Sequence, residues 1–189
     1  LEVKMIQIVR LMENGEEVKM SKRTGNAVTI RELCEDVGVD VARYFFISKP
    51  IISHLDFDLN LARNQSNENP VYYIQYAFAR MSSILRKSSE FEVKECYPLL
   101  KDQKEIELIK HLGELKNVLI DIAKVKEVNI LCNYAYKLAQ LFHSYYNDTK
   151  VIDEDNKEVT KERLALVKAS SIVLKTVLTL LGCEAKESM

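Results

Sequence analysis

Lys19-Met20-Ser21-Lys22, continued by Arg23 and by Gly25-Asn26, is the string in this chain whose residue types and spacing could do chemistry. Two lysines three apart on a tight loop, backed by a hydroxyl and by backbone amides, make a cationic clamp able to close on a polyphosphate. Phosphoryl and adenylyl transfer build negative charge on equatorial oxygens in the transition state. Mobile ammonium groups therefore stabilise that state more than the ground state. Lys22 is the first choice for this role and Lys19 the second. A solvated basic loop would also hold two lysines, but the serine and the Gly-Asn pair favour the clamp.

Such a loop needs elements that hold its ends. Val3 to Met12 is rich in Val, Ile and Met, and Asn14-Gly15 is a dipeptide suited to two positive φ angles, so a β-hairpin should lead into the loop. On the far side, Thr29-x-x-Glu32 has capping-box spacing and predicts a short helix to about Asp36. Gly38 can end that helix, Asp40 can cap the next, and Val41 to Ile47 continues it until Lys49-Pro50.

From Asp58 onward no strand is expected and the apolar spacing is helical. Val71, Ile74, Phe78, Met81 and Leu85 fall on one face after Asn69-Pro70, a favourable helix start. Gln103 to Val125 reads as helix, which Gly113 could interrupt. Val128, Leu131, Cys132, Ala135, Leu138, Ala139 and Phe142 make a second apolar stripe. Leu164, Val167, Ser171, Leu174, Leu178 and Leu181 make a third, stopped by Gly182, with Asp153 to Lys161 as the charged loop before it. Helices with one apolar face each can bury those faces only against one another. The expected fold is therefore mainly α. A helical bundle spans 61–189, preceded in 1–60 by a β-hairpin and short helices from the end of an α/β domain. Residues 1–60 are too few for a core of their own, and a chain that opens on Leu1 reads as a segment of a longer one.

The Lys19 to Asn26 string resembles the second signature of class I aminoacyl-tRNA synthetases. Asp40-x-x-Arg43-Tyr44-Phe45, Ser53-His54-Leu55-Asp56-Phe57-Asp58 and above all the twelve residues Asn69 to Arg80 are similar to the arginine-specific members. The resemblance extends over nearly the whole chain, including Leu180 to Met189. Two departures stand out: Phe78, where histidine is common, and Lys186-Glu187-Ser188, where the family terminus usually contains proline.

The resemblance implies that 1–60 is the C-terminal end of a catalytic domain and 61–189 a helical anticodon-binding domain. It implies arginine–tRNA ligase activity in the parent protein. Lys19, Ser21 and Lys22 would hold ATP, with Mg2+, while arginine attacks the α-phosphate. No His-x-Gly-His occurs, so the segment alone is expected to be inactive. Its partners would be tRNA(Arg) and the N-terminal catalytic domain. Anticodon bases are unstacked and are read by stacking and by bonds to their edges. Tyr72, Tyr73, Tyr76, Arg80, Tyr145 and Tyr146 could supply such contacts, with Met189 near the anticodon. On helical spacing, one or two of Tyr72, Tyr73 and Tyr76 must face the core, where tyrosine packs rather than stacks on RNA. Tyr76 and Tyr146 are the preferred pair. His143 reads as a structural or solvent residue, and His54 and His111 have no partner at a readable spacing. A free-standing helical module that binds RNA or protein, without catalysis, is the alternative. The cysteine and methionine enzymes share the loop but not the Asn69 to Arg80 string.

Composition sets limits on these readings. With 27 Lys and Arg against 28 Asp and Glu, the net charge of -1 excludes a global basic field, so nucleic-acid binding must rest on local patches. Such patches occur at Lys19 to Arg31, Val71 to Ser89 and Arg163 to Gly182, where solvated helix faces would look the same. Cys34, Cys96, Cys132 and Cys183 are too far apart to suggest a disulfide framework or zinc site, which fits a reducing cytoplasm. The apolar runs look too short and too polar to span a bilayer, so no membrane is expected. Neither DNA nor a resident metal is expected.

Overall fold

The computed structural model describes residues 3–18, 28–88, 94 and 96–189. Strand β1 (Val9–Glu13) turns through Asn14 and Gly15, at φ 53° and 80°, into the two-residue β2 (Glu16–Glu17). Both turn residues are left-handed, as the Asn-Gly dipeptide requires. Residues 3–8, expected to extend the strand, lie outside it, and Val3, Met5, Ile6 and Ile8 are exposed. Helices α1 (Ile30–Val37) and α2 (Val39–Ile47) meet at Gly38. The capping box of Thr29 and Glu32 is formed.

Two local expectations are corrected. Asp40 does not cap α2, because Gly38 occupies that position and Asp40 lies inside the first turn. Leu55–Asp58 forms a strand, β3, unforeseen from the sequence, which pairs parallel to β1 with Arg10 opposite Asp56. Parallel pairing needs a long crossover, here supplied by α1 and α2, so no hairpin dipeptide marks β3. Strand order is β2-β1-β3. Arg63, at the end of α3 (Leu59–Arg63), ties the sheet to α1 by bonding Asp36 and Glu13. That guanidinium holds the Asp36 carboxyl below its ordinary range.

Four long helices follow: α4 (Pro70–Lys87), α5 (Gln103–Val125), α6 (Asn129–Asp148) and α7 (Lys157–Leu181). Asn69 caps α4, accepting from the Val71 amide at 3.0 Å, and its own amide donates to the Ala62 carbonyl. Gly113 does not interrupt α5. One glycine costs about 1 kcal/mol of helix propensity, too little to outweigh the turns on either side. The segment from Asp153 to Lys161 is not wholly loop, since α7 begins at Lys157 under the Asn156 cap, helped by a Lys161–Glu158 pair at 2.8 Å. Gly182 ends α7 at φ 70°.

The apolar stripes of α4, α6 and α7 face one another, with α5 packed against α6 and α7. One buried cluster runs from Leu11 through Phe57, Ile74, Leu138 and Phe142 to Leu181 and Cys183, so the small sheet and the bundle share a core. Against expectation, α7 is long and apolar enough to cross a membrane, but half of its most apolar stretch is buried in this bundle.

Candidate functional site

Helix α4 exposes a row of rings beside its core face. Tyr72 and Tyr76, one turn apart, lie nearly parallel with centroids at 6.2 Å. One turn further on, Arg80 folds back so that its guanidinium carbon lies 4.7 Å from the Tyr76 centroid and 4.8 Å from that of Tyr146 on α6. Its Nη2 donates to the Tyr76 hydroxyl at 2.6 Å. Tyr76, Arg80 and Tyr146 therefore form a three-layer stack across the α4–α6 seam. Each is half-buried, and Arg80 has no carboxylate partner among the described residues.

The stack forms part of the lining of an open cleft of about 710 Å³. Arg86 and Lys87 extend its wall along α4, the stretch from Asn147 to Ile152 forms another wall, and Glu187, Ser188 and Met189 close the far side. Asp148, an acidic residue in the lining, is paired with Lys104. The cleft thus offers flat π-faces, a stacked guanidinium with spare N–H donors, and a cationic rim. Aromatic and guanidinium planes of this kind suit unpaired nucleobases, and the rim suits phosphates.

His143 supports the stack from beneath. It is buried, its ring lies 4.6 Å from that of Tyr73 and 5.7 Å from that of Tyr76, and its Nε2 faces the Tyr73 carbonyl at 3.4 Å. Burial, aided by the nearby Arg80 charge, lowers its pKa below the ordinary 6.5. The neutral ring can then donate to that carbonyl, which gives His143 the structural rather than the solvent role.

The tyrosines separate into three groups. Tyr76 and Tyr146 line the cleft with Arg80 and Met189, and Tyr72 continues the ring row behind Tyr76. Tyr73 is half-buried against Tyr136 and His143, and burial raises its hydroxyl pKa. Tyr145 is a correction: at 0% exposure its ring lies wholly in the core and has no face open to a base. Adjacent helical residues point about 100° apart, so Tyr145 and Tyr146 could not share a surface. The cleft residues missed from sequence are Arg86, Lys87 and the stretch from Asn147 to Ile152. The acid-free basic run was a signal for the first two, while the loop carried none.

Lys19, Ser21 and Lys22 lie outside the described residues. The flanks are described: the Val18 amide bonds the Leu11 carbonyl at 2.8 Å, and Thr29 caps α1. Among the described residues, no group of three or more His, Cys, Asp or Glu side chains could hold a metal ion. All four cysteines are free.

Residues 74–189 fit the DALR anticodon binding domain, and the chain belongs to that family. Over 194 residues it is 53% identical to the arginine–tRNA ligase of Geobacillus kaustophilus, covering 100% of this chain and 35% of that protein. A Campylobacter jejuni structure described as a candidate arginyl-tRNA synthetase superimposes with a TM-score of 0.81 at 33% identity, covering 97% of this chain and 40% of that one. The arginyl-tRNA synthetase of Thermus thermophilus superimposes at 0.78 over 95% of this chain and 34% of that one, and at 23% identity shares the fold alone. The chain spans about a third of the length of the curated relatives it matches. These matches agree with the arginine-specific resemblance read from Asn69 to Arg80.

Proposed function

We propose that this chain is the anticodon-reading part of an arginine–tRNA ligase and that the cleft between α4 and α6 receives unstacked bases of the tRNA(Arg) anticodon loop. The Tyr76–Arg80–Tyr146 stack carries the proposal. A guanidinium held between two rings loses little freedom when a base arrives, and its free donors can meet acceptors on a base edge. Tyr72 extends the platform. Arg86 and Lys87 give the rim positive charge for the backbone, and Met189 adds an apolar contact.

In this reading residues 1–60 end the catalytic domain and 61–189 form the anticodon-binding domain. Lys19, Ser21 and Lys22 serve ATP and its Mg2+ during arginine activation, a role that rests on their sequence string. The other half of the ATP site would come from a catalytic domain with the first class I signature. The segment by itself is then inactive, and purified segment that exchanged pyrophosphate with ATP in the presence of arginine would contradict this. The setting is cytoplasmic.

Binding of the chain to tRNA(Arg) transcripts with each anticodon base replaced in turn tests the central claim. Affinity should fall for at least one replacement and should rise as salt is lowered. Equal affinity for every anticodon, or no binding at low salt, would refute it.

A further inference from the structure

The cleft wall formed by Glu187, Ser188 and Met189 belongs to the C-terminal tail, and two residues of α2 grip the start of that tail. Arg43 Nε donates to the Leu181 carbonyl at 2.7 Å. Asp40, one turn earlier on the same helix, receives the Glu184 amide on Oδ2 at 3.1 Å, and its own carbonyl faces the Cys183 thiol. Gln75 of α4, 3% exposed, completes the grip. Its Nε2 donates to Asp40 Oδ2 at 2.7 Å and to the Glu184 carbonyl at 2.9 Å. Further along, Arg86 Nη1 donates to the Glu187 carbonyl at 3.0 Å.

Most of these contacts fall on main-chain atoms of the tail. A main-chain grip sets the path of a segment whatever side chains it carries. The grip therefore does not depend on the side chains of Lys186, Glu187 and Ser188. We infer that Asp40, Arg43 and Gln75 form a clasp that positions the C-terminal tail, so that Met189 and its neighbours stand as the far wall of the nucleic-acid cleft. Asp40 and Gln75 are then positioning residues for RNA recognition, although neither lines the cleft. This rests on the anticodon reading above.

The test is a double-mutant cycle on the 189-residue chain with a tRNA(Arg) anticodon stem-loop as probe. Asp40→Ala should weaken binding about tenfold, the size of one or two lost charge-assisted hydrogen bonds. Asp40→Asn, which keeps an acceptor, should recover most of the loss. In a chain ending at Lys186, Asp40→Ala should change affinity less than about twofold, since the wall it positions is gone. An equal loss in the full and shortened chains, or no loss in the full one, overturns the clasp. If Asp40→Ala does not fold, Gln75→Met runs the same cycle. Hydrogen exchange separates the clasp from the anticodon reading. The Glu184 amide should be protected in the unsubstituted chain without RNA and should lose protection in the variant while the α7 interior keeps its own. Unprotected Glu184 in the unsubstituted chain overturns the clasp, whereas protection together with anticodon-blind binding overturns only the reading of the cleft.

Discussion

Glu105 and Arg163 meet between α5 and α7 in an ion pair of 2.9 Å whose carboxylate is 1% exposed. The same carboxylate accepts the Asp102 amide at 3.1 Å, so it closes the α5 capping box while neutralising Arg163. Glu105→Ala strands a half-buried guanidinium and should lower stability by about 3 kcal/mol. Glu105→Gln keeps the cap and should lose less. Urea unfolding of the two variants checks the order, and equal losses would show that the charge, not the cap, sets the cost.

Tyr145 lies beside this pair, and its buried hydroxyl has no hydrogen-bond partner among the described residues. Burial, reinforced by the Glu105 charge, raises the pKa of that hydroxyl. Tyr145→Phe removes an unsatisfied polar atom and should leave stability unchanged or raise it by up to about 1 kcal/mol. Stem-loop affinity should not move. Tyr146→Ala should do the opposite, weakening RNA binding about tenfold or more, as loss of one stacking surface does. A fluorescence titration of both variants separates the neighbours, and equal binding losses would count against the assignment.

The contrast between these two tyrosines shows how far the sequence could be read. Helix periodicity located α4, α6 and α7, and Asn14-Gly15, Thr29-x-x-Glu32 and Gly182 each sit in the local structure their chemistry favours. Tyr76, Arg80, Tyr146 and Met189, distant in sequence, do converge on one cleft. Periodicity is silent on which of two adjacent rings a neighbouring helix covers, so Tyr145 was misplaced. β3 was illegible because its four residues pair with β1 across a crossover of about forty residues, and such pairing leaves no local signal. Asp40 was read as a helix cap from spacing alone, whereas its partners, Gln75 and Glu184, are supplied only by the assembled fold.

His143 predicts a pH effect. Its pKa is lowered in the folded chain by burial and then by Arg80, while the unfolded chain titrates near the ordinary 6.5. Between that value and the lower folded one, the unfolded chain binds more protons. Stability should therefore fall as pH falls below about 6.5 and level off beneath the folded value. Thermal unfolding between pH 7.5 and 5 should show this slope, and His143→Gln should flatten it. A slope unchanged in that variant would assign it to other groups.

The two helix glycines should respond oppositely to alanine. At Gly113 an added Cβ meets nothing within 4 Å, so Gly113→Ala should raise stability by roughly 0.5–1 kcal/mol. At Gly182, with φ +70°, it would lie 2.3 Å from Arg43 Nε, so Gly182→Ala should cost about 1–3 kcal/mol. Denaturant midpoints for the pair decide it.

Salt dependence distinguishes the rim from the stack. Lys87→Ala should reduce the slope of log affinity against log salt by about one, uniformly across anticodons. Arg80→Lys keeps the charge and should keep the slope, yet lose affinity because an ammonium cannot fill the flat space between Tyr76 and Tyr146. Binding isotherms at three salt concentrations read both, and a full-strength Arg80→Lys variant would argue that charge alone matters there.

Because Met189 lines the far wall of the cleft, a group attached to it would sit beside the surface that the anticodon reading gives to RNA. A histidine tag or fluorescent protein fused there would screen the rings and, if basic, add adventitious phosphate affinity. Purification handles and dyes for every titration above belong at the opposite end of the chain, and a C-terminal fusion becomes a deliberate plug for the cleft.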